Sequence, residues 1–274
     1  MQMFRNITAS FDLDAYLRRI DYAGPRTPTY DTLAGVLTAH VTNIPFEIFD
    51  IHLGRPFRLD PEGLHAKLIT ARRGGHCVEH ATLMYAALQA LGFNPVRHAA
   101  RVVLFAPRHE SVRSHMFLSV MIDDVHYVVD PGFGLFACPV PIPVDGTPVP
   151  IGAPTHRLVR EGDGWVLCMT RNGGETRGWI STMEVEYPVD FEMMQHYLVT
   201  HPSSFYTHNL VATAVTKEGF VNIMNQDASI VRDGTVHPAR LTDRKALRQF
   251  VAQHFGFDLP ELETVKVEAV PGWL

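Results

Sequence analysis

Cysteine is scarce in this chain: three in 274 residues, Cys77, Cys138 and Cys168, widely spaced and odd in number. That usage excludes the disulfide framework that staples small secreted domains. Long apolar runs are missing too, since no stretch approaches the ~20 residues a membrane-spanning helix needs. The start, Met1 to Leu13, is polar and amphipathic and has no signal-peptide core. A cytoplasmic protein without a membrane partner is the expectation, and the sequon Asn6-Ile7-Thr8 then reads as chance. Basic tracts are absent and the net charge is -5, so nucleic acid is not an expected partner. Internal repeats and low-complexity segments are lacking as well. What is there, 46% hydrophobic and 19% charged residues, is an ordinary globular composition. The length suits two or three modest domains.

One stretch stands out, Arg72-Arg73-Gly74-Gly75-His76-Cys77-Val78-Glu79-His80. After the cysteine, Val78, Ala81, Met84, Leu88 and Leu91 recur at spacings of three and four, an apolar helical stripe that Gly92 stops. Cys77 therefore sits at a helix N-terminus, where unpaired N–H groups and the helix dipole favour a thiolate. The glycine pair lets the main chain pass close to a substrate. Cys138 and Cys168 have no helix start or basic neighbour and read as structural.

Up to about residue 92 the pattern is mainly helical. Helices are expected over 12–20, over 31–42, from the Asp60-Pro61 cap through Ala71, and from Cys77. From 93 to 189 the character is β. Strands are expected at 95–105, 114–122, 125–130, 156–160 and 165–170, with a Pro-rich loop from Cys138 to Pro154, as an antiparallel sheet or small barrel. From 190 to 274 the signals are mixed: helices near 190–199 and 242–255, strands near 209–216 and 219–224. The class is α+β.

A thiol nucleophile needs a histidine to take its proton and a carboxylate to orient that histidine. There are 15 histidines, so geometry must choose. If Asp123-Asp124 is a two-residue hairpin turn, Ile122 faces Val125 and Phe117 falls opposite Asp130. His115 then shares a face with Phe117 and is a diagonal cross-strand neighbour of Asp130. Asp130 leads into Pro131-Gly132-Phe133-Gly134, a turn able to bring backbone close to a ligand. Spacing leaves two readings open: a Cys77–His115–Asp130 constellation, or a turn cap beside a satisfied barrel histidine. A rival use of the same stretch is zinc, from the Cys77-x-x-His80 spacing with His76 adjacent. No second closely spaced ligand pair supports it, so no metal is expected.

These motifs together resemble the arylamine N-acetyltransferase family. Arg73-Gly74-Gly75-His76-Cys77-Val78-Glu79 is similar to its nucleophile motif, Ser114-His115-Met116-Phe117-Leu118-Ser119-Val120 to its histidine strand, and Asp130-Pro131-Gly132-Phe133-Gly134 to its aspartate turn. Asn43-Ile44-Pro45-Phe46-Glu47 and His201-Pro202-Ser203-Ser204-Phe205 are lesser echoes. The resemblance implies the triad Cys77, His115 and Asp130. It also implies an N-terminal helical bundle, a central antiparallel β-barrel and a C-terminal α/β lid around a papain/transglutaminase-like core. Three departures stand out. His76 and Val78 replace the aromatic residues common beside the cysteine, and Ala81 stands where the family usually has Asn, whose hydrogen bond is lost or taken over by His80.

The implied activity is acetyl transfer from acetyl-CoA to an arylamine, arylhydroxylamine or hydrazine by ping-pong kinetics through an acetyl-cysteine. Backbone N–H groups near Cys77, one of them from the strand after Arg97, would hold the oxyanion. Phe46 and Phe133 are aromatic candidates for the acceptor pocket, and each also reads as core. Ser203, Ser204, Thr207 and Asn209 are candidates for CoA's phosphopantetheine, against the plain reading that they satisfy their own turns. Glu79 is expected to anchor Arg73, and His76 and His80 to line the pocket or the helix surface. An amide synthase taking a polyketide from a carrier thioester, and a thiol hydrolase or transglutaminase-like enzyme, fit the same triad.

Overall fold

A computed structural model describes residues 11–151, 154–171 and 173–274; the sequon at residues 6–8 lies outside them. The helical signals of the first part are realised through their caps. Asp12 accepts the Ala15 N–H at 2.8 Å and opens Leu13–Arg19, and Thr29 caps Tyr30–Asn43. Asp60 accepts the Gly63 N–H at 3.0 Å and opens Pro61–Leu64, which widens into a π-helix over His65–Thr70. Cys77–Ala90 is the central helix, and Gly92 follows it at φ +86°. The expected stripe is buried, but so are Thr82, Leu83, Ala86 and Ala87. The helix is enclosed almost all round, packed against Tyr16, Leu33, Leu37 and Leu64 on one side and the β-sheet on the other.

The middle of the chain forms one eight-stranded antiparallel sheet. Its end strands, Ile142–Pro143 and Val149–Pro150, lie five residues apart in sequence, which brings the two edges together into a nearly closed barrel. Asp123 and Asp124 both take positive φ, 47° and 61°, the geometry of a two-residue hairpin turn, and Ile122 pairs with Val125 as expected. The strand Arg113–Ile122 is buried on both faces: Met116, Leu118, Val120 and Ile122 enter the helical core, while Phe117 enters the barrel core with Val128, Leu158, Leu167 and Trp179.

The last part builds a second antiparallel sheet of five strands. Four are consecutive, Val211–Val215, Gly219–Met224, Asp227–Arg232 and Thr235–Arg240; the fifth is Phe46–Glu47 from the N-terminal part, paired to Val211–Val215. Leu247 and Val251 of helix Arg244–His254 close its core together with Phe49. Helix Pro188–Thr200 instead sends Phe191, Met194 and Leu198 into the first core. The chain thus crosses back and forth, and the space between the barrel and the last sheet becomes a cleft.

Six strands were not expected from the sequence; three are two-residue pieces, Phe46–Glu47 and, within the Pro-rich loop, Ile142–Pro143 and Val149–Pro150. Gly174–Ser181 runs as four exposed residues followed by four buried ones, with no alternation anywhere. Asp227–Arg232 lacks a clean period of two. Thr235–Arg240 carries Pro238 and is exposed along its length, as a proline-bearing edge strand is.

Candidate active site

Cys77 is the first residue of its helix, and the helix begins there because His76 and Glu79 cap it reciprocally. The His76 ring accepts the Val78 N–H through Nδ1 at 3.1 Å, and Glu79 Oε2 accepts the His76 N–H at 3.1 Å. Beneath this turn lies a buried ion cluster. Arg73 donates to Glu47 at 2.7 Å and to Asp50 at 2.7 Å, and Lys67 donates to Asp50 at 2.8 Å and to Glu79 at 2.8 and 3.0 Å. The partner of Glu79 is therefore Lys67 rather than Arg73, because Arg73 leads backwards to the Phe46–Glu47 strand. Gly74 belongs to the same junction: a Cβ there would meet the Pro45 carbonyl oxygen at 2.0 Å.

The hairpin delivers the other two groups. His115 Nε2 lies 2.8 Å from Asp130 Oδ2, with both side chains buried. The ring's other nitrogen, Nδ1, is left free of Asp130, and Cys77 and His115 lie close enough for each to shift the other's charge. The same thiol sits 3.7 Å from the Ser114 carbonyl oxygen, to which it donates when protonated. The turn after Asp130 passes so close to the helix that a Cβ on Gly132 would meet Cys77 Cα at 2.7 Å.

Charge follows from this packing. Burial alone would push the Cys77 thiol up, but the neighbouring His115 and His76 rings and their charge hold it at about 6. Burial would likewise push His115 down, yet the Asp130 charge and hydrogen bond, and contact with Cys77, hold it up at about 10. Between those values the pair is a thiolate and an imidazolium. Burial pushes Cys138 up to about 12 and raises Cys168 as well.

Ser114, His115 and Gly132, which surround the buried Cys77, line a cleft of about 450 Å³. Phe46, His115, Phe133, Gly134, Ser203 and Ser204 all line it. Phe133 is also core, its ring 4.8 Å from His115 and 5.8 Å from Phe136. Ser204 Oγ is already committed, donating to the Leu198 carbonyl at 2.6 Å and capping Tyr206 N–H at 3.3 Å. Thr207 and Asn209 are not on the cleft wall. Thr207 Oγ1 donates to the Ser204 carbonyl at 2.8 Å, and the Asn209 amide binds the Phe205 carbonyl and Asn225, both at 3.0 Å. These two close turns, the plain role open to them from sequence. The strand after Arg97 pairs with Arg113–Ile122 on one side and, at Arg101 and Val102, with Trp179–Ile180 on the other. His76 and His80 are fully buried rather than on the helix surface. Both ring nitrogens of His80 are engaged, by His40 at 2.8 Å and the Pro45 carbonyl at 3.2 Å. Among the described residues no group of three or more His, Cys, Asp or Glu is arranged to hold a metal ion.

Two contributors escaped the sequence reading. Trp179 donates its indole N–H to Asp130 Oδ2 at 2.9 Å and stacks on Phe117 at 4.4 Å; it lies on the unexpected strand Gly174–Ser181. Tyr206, in the cleft wall and 6.2 Å from Phe46, has its hydroxyl pKa raised by burial and by the Cys77 charge. Tyr206 follows Phe205 in an otherwise polar run, which carries no local signal for such a place.

Residues 29–264 match a family model described as N-acetyltransferase. An arylamine N-acetyltransferase of Mycolicibacterium smegmatis is 33% identical over 266 residues, covering 95% of this chain and 97% of that one. Among solved structures, an arylamine N-acetyltransferase of Nocardia farcinica superposes with a TM-score of 0.88 at 31% identity, over 100% of this chain and 99% of that one. That of Mycobacterium marinum in complex with CoA gives 0.86 at 32% identity, over 92% and 94%. With the fold, the cysteine helix and these likenesses in agreement, this chain is an enzyme belonging to the arylamine N-acetyltransferase family.

Proposed function

We propose that this enzyme moves the acetyl group of acetyl-CoA to an arylamine, arylhydroxylamine or hydrazine in two half-reactions that share Cys77. The observation that carries the reading is the buried Asp130–His115 pair beside Cys77, with His115 in the wall of a cleft lined by aromatic side chains. The Cys77 thiolate adds to the thioester carbonyl. The backbone N–H of Cys77, at the positive end of its helix, is a donor for the oxyanion. The C–S bond to CoA breaks and the proton on His115 goes to the departing CoA sulfur. One thioester replaces another, so the step is close to balanced in free energy, which favours cysteine over serine here. The acceptor nitrogen then attacks the acetyl-cysteine, His115 takes its proton, and the thiolate returns as the amide leaves.

Asp130 holds Nε2–H of His115 and so presents Nδ1 to the sulfur throughout. Because both substrates meet one sulfur in turn, initial rates against acetyl-CoA at several 4-methylaniline concentrations should give parallel double-reciprocal lines. Converging lines would mean that both substrates bind before any chemistry, and the shared-cysteine sequence would be wrong.

A further inference from the structure

One turn past Cys77, His80 takes part in a buried chain of hydrogen bonds that no step above uses. Tyr16 Oη lies 2.9 Å from His40 Nδ1, His40 Nε2 lies 2.8 Å from His80 Nδ1, and His80 Nε2 lies 3.2 Å from the Pro45 carbonyl oxygen. Tyr16, His40 and His80 are each at most 1% exposed. The far end sets the direction of the chain. A carbonyl oxygen only accepts, so His80 Nε2 carries the proton; a neutral imidazole has one N–H, so His80 Nδ1 accepts. His40 therefore donates from Nε2 and accepts at Nδ1, and Tyr16 O–H donates to it. Every polar atom in the chain is satisfied, in one arrangement only.

The carbonyl at its end belongs to the segment that forms one wall of the cleft. Pro45 O also receives the Gly75 N–H at 3.2 Å, and Glu47 N–H donates to Gly75 O at 2.9 Å, stitching residues 45–47 to the glycines just before Cys77. His80 ties the same segment to the helix just after Cys77. Its ring lies parallel to Phe46, 4° apart in plane and 6.5 Å between centres. Phe46 in turn faces the cleft beside Tyr206 and over Gly134. His80 thus touches both the backbone and the side chain of this wall, and touches no reacting atom.

We propose that His80 is a positioning residue for the acceptor side of the reaction: held in one tautomer by His40 and Tyr16, it fixes Pro45 and Phe46 at the distance from Cys77 that an arylamine ring requires. Burial supports the neutral state of the chain, pushing His80 down to about 4 against the raising effect of the Glu79 charge. It also pushes His40 well below its ordinary value, together with the charges of His80 and Arg19. The inference rests on the acetyl-transfer reading of the cleft, but the tautomers do not.

Two variants and one spectrum test it. His80→Phe keeps a ring against Phe46 but neither donates to Pro45 O nor accepts from His40, whereas His80→Gln keeps one donor and one acceptor on a neutral side chain. The KM for 4-methylaniline should rise about tenfold or more in His80→Phe and recover most of that in His80→Gln. The rate at which acetyl-CoA acetylates the protein should stay within about threefold in both. Equal KM values in the wild type and both variants, or a loss confined to the acetylation step, would overturn the proposal. If His80→Phe does not fold, long-range proton–nitrogen NMR of the wild-type protein still decides. His40 and His80 should both be Nε2–H tautomers from about pH 5 to 8, and an Nδ1–H tautomer on either ring would overturn the proposal. Because that spectrum needs no turnover, it fails or stands independently of the acetyl-transfer reading.

Discussion

Trp179 and His115 donate to the same oxygen of one carboxylate: indole Nε1–H at 2.9 Å and imidazole Nε2–H at 2.8 Å both meet Asp130 Oδ2. The indole comes from Gly174–Ser181, a strand on the far side of Val96–Val102 from the histidine, so the barrel wall fixes the carboxylate from two directions. Replacing the tryptophan leaves Asp130 tied mainly to His115. Trp179→Phe removes a hydrogen bond to a charged group, worth about 1.5–3 kcal/mol. Acetylation by acetyl-CoA, followed by stopped flow, should slow by about tenfold or more, each 1.4 kcal/mol being a factor of about ten. An unchanged rate would show that His115 alone orients the carboxylate.

The pH dependence of the sulfur follows from the two shifts at Cys77 and His115. The thiol is held at about 6, so its thiolate disappears as the pH falls through that value. The imidazolium is held to about 10, so it is lost only as the pH rises through that value. Alkylation of Cys77 by iodoacetamide should therefore rise through about pH 6 and stay nearly flat to about 10. Asp130→Asn removes the charge that holds His115 up, and the rise should move towards the range of an ordinary thiol. A midpoint that stays at the same pH in that variant would detach Asp130 from the sulfur.

Close approach makes a third prediction. A Cβ on Gly132 meets Cys77 Cα at 2.7 Å and His80 Cβ at 3.1 Å, neither of which is the far end of a flexible chain. In Gly132→Ala the turn has to move away from the helix and take Asp130 and Phe133 with it. Turnover should fall by about a hundredfold, the scale of a misplacement near 1 Å, while far-ultraviolet circular dichroism is retained. Near-normal turnover would show that the turn and the helix are less tightly coupled than their contact implies.

How far the sequence was legible divides along locality. The hairpin through Asp123-Asp124 is a local object, and its period of two was enough to place His115 and Asp130 on one ribbon face. The cysteine helix was equally plain from Gly74-Gly75 before it and Gly92 after it. What stayed hidden was set by long-range contact. Arg73 sits six residues from Glu79, yet its partners come from residues 47 and 50, because a short strand there crosses to the C-terminal sheet. His80 looked like a surface or pocket residue because nothing local shows that His40, forty positions earlier, packs against it. Trp179 was invisible for a different reason: its strand starts in an exposed, glycine-bearing turn whose residues show no alternation.

The buried ions beneath Gly74 and Gly75 give a stability prediction. Lys67 is the partner of both Asp50 and Glu79, and its side chain is only 13% exposed. Lys67→Met keeps the bulk but leaves Glu79 without a cation, while Asp50 keeps Arg73, and breaking a buried pair by removing one partner costs about 3–5 kcal/mol. Urea unfolding of this variant should show that loss at an unchanged slope. A difference under about 1 kcal/mol would place the cluster in the range of exposed ion pairs.

The most direct measurement is the mass of the intact protein, with peptide mapping, after brief exposure to acetyl-CoA and no acceptor. One added acetyl group is expected on the peptide that holds Cys77, absent in Cys77→Ala and discharged when an arylamine is added. An acetyl group on Cys138, Cys168 or a lysine, or an unmodified protein that nonetheless turns over, would contradict the account.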